Sequence, residues 1–550
     1  MILSSTADFD CPMLKVWGAE GCRTLSRGAF WGLVAGYAAL IGEGQGGVSI
    51  VLAGTSAEQM ALFVACVAMG RLPAMFPPGA ALQDEAAFLA QQRTALNRID
   101  PSCIYVFSES ARAAIARADA GLGARTRVLP EAVEVVAGDA RAMRRRFAAR
   151  LQSAAPVFVQ HSSGTTGIKK AVAITGTALM AQYAAYWPML RAALGCDMLR
   201  IASWLPLYHD MGLLTSLLLP VMGEDVISIV DPVLWISQPD IFLRMIEADG
   251  CYVAWMPNFA YRHYVRLRPS LPARNLHSVR MWIDCSEPCR FADAAAFEAA
   301  FAEFGVPADS VVGGYAMAET VFAATQCLAG ERRALSVPPG LAVGAVLDAD
   351  RVPGEGDRLV LSSGRVLPGM ELGVLVDGGL AGERVYGEIV LRGACLFSHY
   401  GGMDEAQSNI GADGNFRTGD LGMVADGHLY VFGRLKEIII VNGRNLFAGD
   451  IEVAVGQVTG IRPGRVAAFG LESAQTGSEV LIIVAERTPG ANMPMAELRG
   501  AIARLVSEAF LVTARDIRIV EERWLVKSSS GKVARGENVV KYEREFGDRK

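Results

Sequence analysis

The 550-residue chain lacks most of the patterns that settle a function at a glance. Its ten cysteines are scattered and never form a CxxC pair. Cys285 and Cys289 stand nearest to each other, at a spacing that suits no common zinc knuckle. A disulfide framework is thereby excluded, and reduced, mostly buried thiols in a cytoplasmic protein are expected. The six histidines form no HExxH or HxxxH arrangement, so no transition-metal site is expected. There is no long basic run and the net charge is -5, which disfavours nucleic acid as a partner. Mean hydropathy is high at +0.29, yet no uninterrupted apolar stretch is long enough to span a membrane. The opening MILSSTADFDCPM carries acids and no basic n-region, unlike a secretory signal peptide. The Walker pattern is also missing, since no Lys-Ser/Thr pair follows a four-residue gap between glycines.

What is present is the composition of a well-buried globular protein, with 52% hydrophobic and 20% charged residues. Its length exceeds what one core usually supports, so two or more domains are expected. Apolar runs at Val48–Leu52, Leu72–Phe76 and Cys103–Phe107 read as strands. Helical patterns at Ala57–Met69 (Met60, Phe63, Val64 and Val67 on one face) and Ala86–Leu96 fall between them. Such alternation predicts α/β architecture with parallel sheets covered on both faces. The helix Asp139–Arg150, with Arg144, Arg145 and Arg146 together, is expected to show a solvated face.

The densest polar signal is Val159–Ala171, VQHSSGTTGIKKA. Gly164 and Gly167 bracket the hydroxyls of Ser162, Ser163, Thr165 and Thr166, and Lys169 and Lys170 follow. Glycines free the backbone to present N–H groups, while hydroxyls and lysines add donors and charge, which suits a polyphosphate. Flanking strands at Pro156–Val159 and Ala171–Ile174 make the segment a hairpin-like lip. A polar surface turn would look the same. Further on, Trp204-Leu205-Pro206-Leu207-Tyr208-His209-Asp210 runs into an apolar helix. Asp210 reads as its N-cap, and His209 as lining a pocket between two apolar runs. In VVGGYAMAET, Tyr315 and Glu319 fit a base-stacking ring and a magnesium ligand, or an ordinary core-edge tyrosine and a helix-start glutamate. The acid of Thr418-Gly419-Asp420 reads as a tight-turn residue, placed to accept from a ribose diol or simply to close the turn. Gly433, followed by Arg434 and Lys436, breaks two apolar runs like an interdomain hinge. Ser528-Ser529-Ser530-Gly531-Lys532 taken alone fits a mobile surface loop.

In this order the segments resemble the adenylate-forming superfamily of acyl-CoA synthetases, luciferases and peptide-synthetase adenylation domains. The resemblance runs from about Gly47 to Arg535. It implies a large N-terminal domain of α/β subdomains (1–433) and a small mobile α+β C-terminal domain (434–550). WLPLYHDMGL, the alanine of YAMAE, GRLKEIIIVNGRN and the long Ala334–Leu361 stretch look most like fatty acyl-AMP ligases. In those ligases an insertion resembling that stretch hinders the thioester-forming pose. Departures fall at Asp284-Cys285-Ser286-Glu287-Pro288, at Ala316 and at Val526, and bear on the substrate more than on adenylation.

The resemblance implies ATP and Mg2+ as cofactors. It further implies activation of a carboxylic acid, most like a fatty acid, to acyl-AMP with loss of pyrophosphate, then transfer to an acyl carrier protein. The alternatives it leaves are an acyl-CoA or aryl-CoA synthetase, adenylation of a small polar or amino acid, and a non-catalytic nucleotide-binding homologue. By the same resemblance Lys532 bridges the substrate carboxylate and the α-phosphate, and Glu319 holds magnesium with Thr166. Ser162 to Lys170 clasp the departing phosphates. Tyr315, with Ala316 and Met317, takes the adenine. Ser286, Glu287 and Pro288 also border the nucleotide, Asp420 takes the ribose with Arg434 and Lys436 nearby, and His209 borders the acyl tunnel. An apolar acyl pocket is expected from Trp204, Leu213, Trp255 and Phe259, with Asp284 as the group that could hold an ammonium instead.

Overall fold

A computed structural model describes residues 8–547 except 45, 53, 78–92, 94–95, 98, 134–138, 162–169, 288, 339, 355–356, 402–408, 442–443, 474–477, 492 and 528–530. Two large sheets build the body. In one, Val48–Leu52 runs parallel to both Leu72–Phe76 and Cys103–Val106, as short fully apolar runs do when both faces are covered. The covering helix Ala57–Ala68 starts at a capping box in which Ser56 and Gln59 satisfy each other's backbone N–H groups. It buries every residue but Glu58 and Gln59, rather than the single face expected, because it lies against the helices Arg27–Ile41 and Ala140–Arg150 as well as the sheet. Of the three adjacent arginines of Ala140–Arg150, Arg145 and Arg146 are exposed, in keeping with the expected solvated face. Arg144 is buried and its Nε donates to Glu224 at 2.9 Å. Pro156–His161 and Ala171–Thr175 pair antiparallel, so the polar segment between them does join a hairpin. The expected helix Ala86–Leu96 lies almost wholly outside the described residues.

The second sheet has six parallel strands at its centre: Pro12–Trp17, Val226–Val230, Arg200–Ser203, Val253–Met256, Met281–Asp284 and Val311–Ala316. Their carboxyl ends emit Trp204, Phe259, Ser286 and Met317 on one edge, the place where open α/β sheets bind ligands. After Ser203 the chain turns back through Pro206 into a helix that starts at Asp210. Gly212 permits this, because a Cβ there would stand 2.2 Å from the Pro206 carbonyl oxygen. Asp210 is the first helical residue, not the cap. His209 holds the cap position, and the Asp210 carboxylate accepts from the Met211 N–H at 2.8 Å. The helix then widens to a π-turn over Leu214–Leu218, a distortion common beside functional sites.

A five-stranded antiparallel sheet closes the body, with Phe416–Ala425 against His428–Arg434. The tail forms its own unit. Its strands Ile461–Ser473, Ser478–Arg487 and Asp516–Val520 pack with the helices Ala448–Val455 and Met495–Phe510 around a core running from Ile439 to Ile519. That core is separate from the body's. The architecture is thus the expected α/β body with a small α+β lobe.

Candidate active site

Body and tail face each other across a cleft of about 2250 Å³. From the tail side, Lys527 and Val533 form an antiparallel bridge next to Lys532. The Lys532 ammonium crosses the cleft and donates to the backbone carbonyl of Ser286. Ser286 itself holds φ at +72°, a left-handed backbone rare for serine and of the kind that clusters at functional sites. Next to it, Glu287 accepts from the Phe259 N–H at 3.1 Å and so caps the helix Asn258–Leu267.

One wall is a knot of three side chains, Tyr315 and Asp420 buried and Arg434 partly exposed. Tyr315 Oη donates to Asp420 Oδ2 at 2.6 Å, and Arg434 Nε meets Asp420 Oδ1 at 3.0 Å. Burial pushes the Asp420 carboxyl up, while Arg434 and the Tyr315 hydroxyl pull it back. The Tyr315 hydroxyl is driven well above its ordinary range, by burial first and then by Asp420. Asp420 is not in a tight turn. It lies inside the ten-residue strand Phe416–Ala425, and the turn chemistry of Thr418-Gly419 is spent on a local irregularity with Gly419 at φ +72°. Ala316, Met317 and Lys436 line the cleft beside this knot.

A second group lies on the strand leaving the polar hairpin. Tyr400 Oη donates to Glu319 Oε1 at 2.9 Å, and the Lys170 ammonium sits 4.4 Å from the centre of the same tyrosine ring. His399–Tyr400 pairs with Ala171–Thr175, which fixes the ring next to the lysine. Burial raises the Glu319 carboxyl. Among the described residues no cluster of three metal-ligating side chains exists.

The apolar wall differs from expectation. Trp204 lines the cleft, but its partner is Trp235, stacked face to face with centroids 3.6 Å apart and planes 5° apart. Phe259 lies edge-on to both rings. Trp235 Nε1 donates to Tyr264 Oη at 2.7 Å, which in turn donates to the Pro239 carbonyl at 3.0 Å. Trp255 belongs to the core instead, stacked on Trp187 and bonded to Tyr186, and Leu213 faces a minor cavity behind His209. Asp284 is fully buried behind its strand and accepts from Asn258 at 2.8 Å; burial drives its carboxyl well up. It is absent from the cleft lining, so it presents no anion to an ammonium there. His209 lines the cleft as expected and pairs with Asp210, whose carboxyl is held low by His209 against the opposing effect of burial.

The two halves are clasped at Asp450 of the tail helix Ala448–Val455. Arg290 approaches one carboxylate oxygen at 3.3 Å, and Arg358 takes the other. Arg358 opens the strand Arg358–Leu361, which closes the Ala334–Leu361 stretch, and its guanidinium also covers the Phe447 ring at 4.9 Å.

The structure therefore gathers Lys532, His209, Ser286, Glu287, Tyr315, Ala316, Met317, Asp420, Arg434 and Lys436 on one cleft. Glu319 sits in the helical turn following Met317, in contact with Tyr400 and Lys170 through one ring. Ser162, Ser163, Gly164, Thr165, Thr166, Gly167 and Pro288 lie outside the described residues. Tyr400, Trp235, Arg290, Arg358 and Asp450 were not legible as site residues, since in sequence each is an ordinary core or surface side chain.

Residues 20–401 match the family model of the AMP-binding enzymes. Over 429 residues the chain is 30% identical to the long-chain-fatty-acid–AMP ligase FadD32 of Mycolicibacterium smegmatis, covering 69% of this chain and 67% of that protein. It is 28% identical over 409 residues to the medium-chain-fatty-acid–[acyl-carrier-protein] ligase JamA of Moorena producens, covering 70% and 67%. A solved structure from work on fatty acyl-adenylate ligases of E. coli and L. pneumophila superimposes with a TM-score of 0.79 at 24% identity, covering 97% of this chain and 96% of that one. With that fold and that family match, the chain is a ligase belonging to the AMP-binding enzyme family.

Proposed function

We propose that the cleft uses ATP to adenylate a carboxylic acid, a fatty acid as in the matched relatives, and passes the acyl group to the phosphopantetheine thiol of an acyl carrier protein. The observation that carries this reading is the Lys532 ammonium, brought from the tail onto the Ser286 carbonyl. A carboxylate oxygen attacks the α-phosphorus in line and pyrophosphate leaves. Both reactants are anions, so a cation placed between them stabilises the charge as it shifts. Asp420 and Arg434 take the ribose side, with Tyr315 against the base. The segment 162–169 and Lys170 take the β- and γ-phosphates. Glu319 suits magnesium, because its carboxylate is a hard oxygen ligand, held in place by Tyr400, of the kind that ion shares with phosphates and water. The ion, when bound, would neutralise phosphate charge. His209 and the Trp204, Trp235 and Phe259 rings border the acid. We take Gly433–Arg434 as the boundary between a 1–433 body and a 434–550 lid.

The carrier protein as acceptor is supported by the JamA likeness and by the clasp at Asp450. The Ala334–Leu361 stretch supplies Arg358 to that clasp and so opposes rotation of the lid. No helix among the described residues is long and apolar enough to cross a membrane. The test is purified chain with ATP, Mg2+ and a panel of acids, read by pyrophosphate release. A carrier protein and free CoA are then offered separately and the products weighed by mass spectrometry. Acyl-carrier product without acyl-CoA is expected. Nucleotide binding without pyrophosphate from any acid would overturn the reading.

A further inference from the structure

Resting on that reading, we propose that Tyr400 is a positioning residue that keeps the Lys170 ammonium and the Glu319 carboxylate apart, so that each stays available to the nucleotide. A lysine and a glutamate placed against the same side chain in a buried site would ordinarily neutralise each other, since opposite charges attract strongly where water is scarce. Here a tyrosine ring stands in the way. Its hydroxyl ties down Glu319 Oε1 at 2.9 Å, and its face takes Lys170 at 4.4 Å. A tyrosine can do both at once because its face is electron-rich and its hydroxyl is a donor.

The ring is well fixed for this task. Tyr400 is buried and packs against Phe397 with centroids 4.6 Å apart. Its backbone pairs with Val172, and the flanking Ser398 and Gly401 N–H groups donate to the Ala173 and Ala171 carbonyls at 2.9 and 2.7 Å. The Phe397 N–H donates to the Glu319 carbonyl at 2.8 Å, so the same short segment holds Glu319 by backbone and by side chain. Strand, lysine and glutamate thus share one anchor, and only one oxygen of the carboxylate is engaged by it. The carboxylate held there is a hard oxygen ligand of the kind a cation arriving with ATP takes.

Calorimetric titration of the full chain with ATP, without acid, separates the arms because no chemistry occurs. Tyr400→Phe keeps the ring and removes the tether. It is expected to weaken ATP about tenfold in the presence of Mg2+ and to leave binding in EDTA unchanged. Tyr400→Leu removes the spacer as well, so that Lys170 pairs with Glu319 and ATP weakens in both conditions. Glu319→Gln combined with Tyr400→Phe should bind no worse than Glu319→Gln alone. Equal weakening by Tyr400→Phe with and without Mg2+, or additive losses in the double variant, would overturn the proposal while leaving adenylation standing. A wild-type chain that fails to bind ATP at all would remove both.

Discussion

The two sides of the cleft hold their charges by opposite means. On the body side, Asp420 is buried and fully engaged by Tyr315 and Arg434 within one continuous sheet register, Asp420 opposite Arg434. The Tyr315–Asp420 bond lies wholly within the body, and Arg434 joins it from the end of the strand that leads into the lid. On the tail side, Lys532 reaches the body at the Ser286 backbone carbonyl, and its position depends on how a separately cored lobe docks. A satisfied knot in a low-dielectric wall is preorganised and suits a part of the ligand that does not react. A cation delivered by docking can be withdrawn, and suits the one moment when two anions join.

The largest expected effect comes from breaking the delivered side. Lys532→Ala should cost about 3 kcal/mol of transition-state stabilisation, a hundredfold or more in acyl-adenylate formation. Thermal stability and ATP affinity should stay near wild type, because the body-side knot is untouched. Pyrophosphate release within a few fold of wild type would show that the comparison is drawn at the wrong residue.

The next effect tests docking. Asp450→Ala leaves Arg290 and Arg358 without their shared carboxylate. These pairs are partly exposed, so the loss is modest, about 1 kcal/mol and roughly fivefold in adenylation. The telling readout is limited proteolysis, since a lobe freed from its clasp should be cut faster near Gly433 and gain some transfer to free CoA. Unchanged cutting would mean that the lobe is held elsewhere.

The contrast between the two sides also explains what the chain disclosed before it was folded. Strands such as Val48–Leu52 and Leu72–Phe76 were legible to the residue, because apolar runs punctuated by glycine and proline leave little choice. Lys532 and Asp420, singled out by the order of their motifs, do line the cleft. Asp420 was placed in a turn because Thr-Gly-Asp has turn chemistry, and long-range pairing with Glu388–Leu391 overrode it. Asp210 was read as a cap one residue too late, since the close approach of Gly212 to Pro206 sets the helix start. Trp235 and Trp255 look alike in sequence, each an aromatic in an apolar run. Only the register of neighbouring strands and helices decides which faces the cleft and which the core.

A third expectation concerns the acid. Trp235 is anchored through Tyr264 and stacks on Trp204, closing the apolar wall near the Ser286 turn. Its helix also brings Val233 and Ile236 to the cleft lining. Trp235→Ala should therefore move acid preference toward longer chains, at a cost of about 4 kcal/mol in stability. The chain-length profile of pyrophosphate release measures this, with Trp235→Phe as the milder variant. A profile that does not shift in either variant would place the acid on another wall.

The smallest effect asks whether the delivered side is electrostatically strained where the body side is not. Lys527 bridges Val533 next to Lys532, and burial pulls its ammonium down to about 8, with Arg465 adding to the fall and Glu287 and Glu486 opposing it. Below that pH the side chain is charged in both the folded and unfolded chain, and its burial counts against folding. As pH rises from about 8 toward the ordinary lysine range near 10.4, the folded chain has lost the proton that the unfolded chain still binds, so stability rises with pH. Lys527→Met removes this dependence. The variant should be the more stable of the two at pH 7, by about 1 kcal/mol after solvent screening, and the gap should narrow to less than about half by pH 9.5. Melting curves of both chains at the two pH values decide it, and a gap that stays constant or widens would mean that the tail loop is as well satisfied as the knot around Asp420.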